Sequence, residues 1–196
     1  CYSTIEEARA DLMALWSVAD PKMRELGLTS STEVVRTMYL QSARAPLVQL
    51  RRIPKGDAIE QDHMRNRQLI VSWIMEHNGS IARVERNGKT YYTVRDFLKM
   101  REAVGALLAE LMRIKGEGDY AAAKRLVEKH AVRFDPKLRD QVVARFDRLG
   151  LPTYWGGINP ELNAKWGPDG SVARVTLSYP RDVVKQQLGY AAMYER

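Results

Sequence analysis

The sequence predicts a mainly α (α+β) fold: a helical body over residues 1–148 with one β-hairpin, then a loop, strand and helix segment over 149–196. Three observations carry this. Apolar residues recur at helical spacing between cap signals through the first three quarters of the chain. Asn87-Gly88, set between alternating residues in "IARVERNGKTYYTV", is a two-residue hairpin turn. After Gly150 the chain becomes rich in Gly, Pro and aromatics, in "LPTYWGGINPELNAKWGPDG".

The elements follow in order. Ser3 or Thr4 caps a first helix that runs to about Ala19. Asp20-Pro21 restarts a helix that Gly27 ends. Ser31/Thr32 open a third, which Pro46 should kink or break. Residues from about Ala58 to His77 form a long helix stopped by Asn78-Gly79, and the hairpin follows. Asp96 caps a helix to about Lys115, and Asp119 and Asp135-Pro136 cap two more, the last ending at Gly150. The tail holds one short strand within its loop, a strand at "VARVTLSY" and a terminal helix over 181–194.

A chain of 196 residues suffices for one domain, or one and a small annex, with a substantial core. Its 45% hydrophobic and 28% charged residues argue against disorder and against a fibrous class. No apolar stretch is long enough to cross a bilayer, and no signal-peptide pattern is present, so a cytoplasmic location without membrane partners is expected. The single cysteine, Cys1, excludes an intramolecular disulfide and an all-thiolate metal site. The chain opens on Cys1 rather than Met, which suggests a processed product or part of something longer. The net charge of +7 raises nucleic-acid binding as a candidate. The basic residues are interleaved with acids, however; "LRRIPK" and "MRNRQ" are the densest patches, no nucleic-acid motif is present, and no such partner is expected.

Two constellations carry chemistry. In "STIEEARADLMALW", Ser3-x-x-Glu6 and Thr4-x-x-Glu7 both fit a capping box, and acids in a first turn suit the helix dipole. Capping does not account for Asp11, two turns in. Glu7, Asp11, Ala14 and Val18 share one stripe, opposite Ile5, Ala8, Leu12, Leu15, Trp16 and Ala19. Past Asp11 the helix is apolar nearly all round, the pattern of a buried helix. Two carboxylates on such a helix need protons, cations or a metal, and helix physics does not choose among these. In the second constellation, His63, Arg67, Ile70 and Ile74 share one face. An imidazole beside a guanidinium suits an anionic or carbonyl oxygen; a core histidine and an arginine paired to a structural acid is the alternative. His77 and His130 read as surface histidines.

"EEARAD", "LMALWSVADPKMRELGL", "HMRNRQLI", "NGKTYYTV", "LLAELMRIKGEGDY" and "INPEL", in this order and spacing, resemble the dipeptidyl peptidase III family of zinc metallopeptidases, most closely its bacterial members. The resemblance implies that the second glutamate of the Glu-Glu-x-Arg-Ala-Asp/Glu helix, Glu7, is a zinc ligand. Glu6 and Asp11 match the acids that orient the zinc-binding histidines. His63 matches the histidine that contacts substrate and stabilises the tetrahedral intermediate. Arg67 matches an arginine of the same cleft and Arg145 a basic residue near the junction between the two lobes, both implied to bind substrate. Ala8 stands where many eukaryotic members carry cysteine.

One departure is large. The family's other two zinc ligands belong to a His-Glu-x-x-x-His helix, and this chain contains no such motif; His63, His77 and His130 are widely separated. Zinc in this chemistry needs three protein ligands and a water. The chain therefore resembles the C-terminal part of a zinc exopeptidase that releases dipeptides from the N-termini of short peptides. Its expected partners are those peptides and the N-terminal portion of the same enzyme, and alone it should be inactive. In the mechanism implied, zinc polarises the scissile carbonyl and its bound water while the absent glutamate is general base. The "GLPTYWGGINP" loop would lie near a hinge between lobes. The alternative from the residues alone is a helical interaction or regulatory module, with Glu6, Glu7 and Asp11 as caps and salt-bridge partners.

Overall fold

The computed structural model describes residues 1–150 and 159–193, divided into two compact units, Cys1–Leu151 and Pro152–Arg196. The first unit comprises α1 (Tyr2–Val18), α2 (Pro21–Glu25), α3 (Thr32–Gln49), a 3-10 turn (Leu50–Arg52), α4 (Asp62–His77), strands β1 (Ile81–Arg86) and β2 (Lys89–Val94), α5 (Phe97–Glu117), α6 (Tyr120–His130) and α7 (Pro136–Arg148).

Four aspartates start helices as the sequence predicts. Asp20 accepts from the Lys22 amide, Asp96 from Leu98 and Lys99, Asp119 from Ala122, and Asp135 from Lys137 and Leu138, all within 3.2 Å. Each satisfies donors the helix cannot, worth about 1 kcal/mol. Asn87 and Gly88, at φ 51° and 67°, make the hairpin turn, and β1 pairs with β2 from Ile81↔Val94 to Arg86↔Lys89.

Three local expectations are corrected. Neither Ser3 nor Thr4 caps α1; Cys1 holds that position without a side-chain bond, and the buried Thr4 hydroxyl donates instead to Asp62 Oδ1 at 2.6 Å. Pro46 does not end α3, which runs on to Gln49 and into the 3-10 turn. It lies in the last turn, where it removes a single bond, and buried Ala43, Leu47 and Leu50 offset that loss. The long helix begins at Asp62, because residues ahead of it are extended: Ala58 forms a β-bridge with Arg133.

α1 is the central strut, packed on both α4 and α5. Its buried face presents Ile5, Ala8, Leu12, Leu15 and Val18 to one cluster with Leu69, Ile70 and Ile74 of α4 and Val104, Leu107 and Leu111 of α5. The expectation of a helix buried all round is not met. Asp11, Met13 and Ala14 are exposed, leaving a one-sided helix whose Glu7–Asp11 stripe faces outward. Trp16 is 38% exposed yet tightly seated, since a Cβ on Gly105 of α5 would come within 2.4 Å of its ring. Gly105 thus admits the indole at a helix-interior position where glycine costs about 1 kcal/mol of propensity. A smaller cluster, with Leu47, Leu50, Ile53, Ile59 and Leu138, joins α3 to α7.

The second unit holds an antiparallel hairpin, β3 (Glu161–Trp166) and β4 (Val172–Ser178), and α8 (Val183–Met193). Gln186 of α8 accepts from the Asn159 amide at 2.9 Å and donates to its carbonyl at 2.8 Å. Cross-strand pairs Leu162↔Leu177 and Ala164↔Val175 alternate with Asn163↔Thr176 and Lys165↔Arg174, so one hairpin face is apolar and the other polar. Most of the loop expected near a hinge, residues 151–158, lies outside the described residues. No described helix is long and apolar enough to cross a membrane.

Candidate active site

The N-terminal halves of α1 and α4 run side by side and bring the two sequence constellations together. Helical spacing puts Glu7 on the outward stripe of α1, one turn past the Thr4 hydroxyl that is tied to Asp62 at the start of α4. His63 is the next residue of α4, and its Nδ1 lies 3.0 Å from Glu7 Oε2. Both side chains remain accessible, Glu7 at 37% and His63 at 57%. Nδ1 faces the carboxylate, which leaves Nε2 for another group. The Thr4 hydroxyl is also the leading cause that holds the Asp62 carboxyl below the usual range.

The other candidates are placed differently. Glu6 turns toward α5, between Arg9 of its own helix at 3.0 Å and Lys115. It is the more buried of the paired acids, and its charge is matched within the chain. Asp11 is exposed and has no ion pair or hydrogen bond among the described residues. Arg67, one turn beyond His63, lies on the exposed side of α4 in a shallow groove with Arg44 and Arg52. Ile70 and Ile74 of the same sequence pattern are buried. Arg145 stands on α7 with its guanidinium 5.4 Å from the centre of the Tyr91 ring of the hairpin, beside Lys89 and Arg148.

His130, read from the sequence as a surface residue, is 5% exposed, and its Nδ1 lies 3.0 Å from Ser72 Oγ. Burial pushes its imidazole below the ordinary value, against the partly opposing charge of Glu76. The signal was in the spacing: Ala123, Val127 and His130 share the buried face of α6. His77 is exposed, stacked on Trp73 with ring centres 4.2 Å apart.

Among the described residues no group of three or more His, Cys, Asp or Glu side chains could hold a metal ion. The accessible Glu7 carboxylate is a suitable single ligand, but with His63 already on it the donor set falls short of the three protein ligands that catalytic zinc requires. These residues do not by themselves form a zinc site.

The arrangement is thus a surface carboxylate and imidazole from two packed helices, joined to a polar tie at the helix starts. A family model matches the sequence: Peptidase family M49, over residues 1–146. The chain belongs to that family, the dipeptidyl peptidase III family of peptidases. A comparison with curated proteins finds no match.

Proposed function

We propose that this chain is the Glu7-bearing, C-terminal part of a zinc-dependent exopeptidase that releases dipeptides from the N-termini of short peptides. The observation that carries the reading is the Glu7–His63 pairing, 3.0 Å across two helices, in a chain of a peptidase family. Glu7 supplies one zinc ligand, and the remaining ligands and the general base come from the N-terminal portion of the enzyme. Asp11 stands on the outward stripe with Glu7, where it can orient a histidine from that portion. Glu6 belongs to the same acidic cluster, and its pairing with Lys115 fixes α1 against α5.

His63 has the role of stabilising the oxyanion through its free ring nitrogen. Arg67 and Arg145 are the substrate-binding cations, Arg67 one turn from His63. Within the second unit, the apolar face of the β3–β4 hairpin, with Leu162 73% and Trp166 68% exposed, supports a partner surface in the complete enzyme. The complete enzyme acts in the cytoplasm on short peptides, with neither nucleic acid nor membrane as partner.

The ion pairs of Glu6 favour a second reading, in which the three acids are structural and the chain is an interaction module. Metal analysis and dipeptide release separate the two. The chain alone should show neither bound zinc nor activity, and the complete enzyme should show both. Stoichiometric zinc with dipeptide release from the 196-residue chain would overturn the first reading, and so would a complete enzyme lacking both properties.

A further inference from the structure

A cleft of about 530 Å³ lies where the C-terminal end of α1 meets α2, α3 and α5. It is separate from the Glu7–His63 pair, since Val18 on its wall is about 16 Å along α1 from Glu7 at the ordinary helical rise. Val18, Val35, Tyr39 and Phe97 give it apolar walls, and Arg24, Arg36 and Arg101 bring three cations to it. That mixture and size are typical of a site for a small amphipathic molecule.

Two of these arginines lie over aromatic rings. The Arg101 guanidinium lies 4.9 Å from the centre of the Trp16 ring, and that ring is seated in the gap left by Gly105, one turn further along α5. Arg36 lies 5.1 Å from the centre of the Phe97 ring. Aromatic faces position a guanidinium without using its N–H donors in the plane. Arg101 Nε is buried and has no hydrogen-bond partner among the described residues. Arg113, on the same helix, shows the contrast: Glu110, Glu117 and Asp119 all pair with it.

Two acids also line the cleft, and neither pairs with Arg101. Asp20 caps α2 through the Lys22 amide, and Glu33 Oε1 stands 3.6 Å from Arg36. Arg101 also faces the Tyr39 phenol, which burial pushes up and this positive charge pulls back. A buried donor without an acceptor costs free energy unless a ligand or water supplies one.

The geometry points to a binding site in this cleft for a small organic carboxylate with an aryl-sized apolar body, its carboxylate on Arg101 and Arg36 and its body against Val18, Val35 and Phe97. A neutral molecule of the same shape fills the walls but leaves the Arg101 donor unmatched. A free inorganic anion matches the donor but leaves the walls empty.

The test is a titration of the full chain with 3-phenylpropionate, followed by the indole N–H signals of its tryptophans in a heteronuclear NMR spectrum. A saturable shift is expected, with 3-phenylpropionamide at least ten-fold weaker. Arg101→Gln and Arg36→Gln should each weaken the carboxylate at least ten-fold with circular dichroism unchanged. Should Arg101→Gln unfold the chain, the exposed Arg36→Gln carries the comparison. Absence of a saturable shift, equal binding of the amide, or unchanged binding to Arg36→Gln would overturn the assignment.

Discussion

Thr4 and Asp62, far apart in the sequence, meet at 2.6 Å where α1 and α4 begin, and the residues that follow them set Glu7 against His63 at 3.0 Å. One hydrogen bond to a charged acceptor therefore ties together the starts of the two helices that carry the candidate active site. Thr4 is fully buried, so its hydroxyl has no water to replace that partner. Thr4→Val, nearly isosteric, should lower stability by about 1–2 kcal/mol, the range for a bond to a charged group. Urea unfolding measures this, and an unchanged midpoint would remove the tie from the account.

His63 should act on the transition state rather than on binding. In the complete enzyme, His63→Ala should lower kcat by about 100-fold, comparable to the loss of one oxyanion donor, with zinc content unchanged. A rise in KM with kcat preserved would assign His63 to uniform substrate binding instead.

Gly105→Ala tests the seat of Trp16. Alanine is the better helix former, yet its Cβ would stand 2.4 Å from the indole. Overpacking of that kind costs about 1–3 kcal/mol and outweighs the propensity gain. A lower urea midpoint is expected, and a raised one would show that the indole moves aside freely.

His130 gives the chain a pH dependence. Its folded-state value is below the ordinary 6.5, chiefly through burial, with Lys129 lowering it and Glu76 raising it. The unfolded chain therefore binds the proton more readily, and stability falls as pH drops below about 6.5 toward the folded value. Above that window the contribution is complete. Glu76, held low by Lys129, and Asp62, held low by Thr4, lose their contributions only at lower pH, in the carboxylate range. Urea midpoints between pH 7.5 and 5 should fall for the native chain and less for His130→Gln. Parallel curves would place the sensitivity elsewhere.

Much of the fold was legible because its signals are local. Four aspartate caps and one Asn-Gly turn place helices and hairpin through bonds within three residues of chain. What misled was tertiary. Thr4 has the chemistry of a cap, but packing against α4 offers its hydroxyl an aspartate. Pro46 breaks an isolated helix, and a buried last turn tolerates it. His130 is polar by type, yet Ser72 satisfies it inside the core. The acids of "EEARAD" suggested in sequence that partners were needed, which holds for Glu6 and Glu7 but not for the exposed Asp11. Sequence did not show that Glu6 would turn to Lys115 while Glu7 met His63, since that choice depends on which helices pack on each side of α1.

The most direct test of the central claim is the zinc content of the complete enzyme carrying Glu7→Ala, measured by elemental analysis after dialysis, with Glu7→Gln alongside as the variant of nearly equal size. The account predicts one zinc per molecule in the parent and loss of bound zinc in both variants, with the helical circular dichroism retained. Full zinc occupancy in either folded variant would contradict the assignment of Glu7 as a ligand.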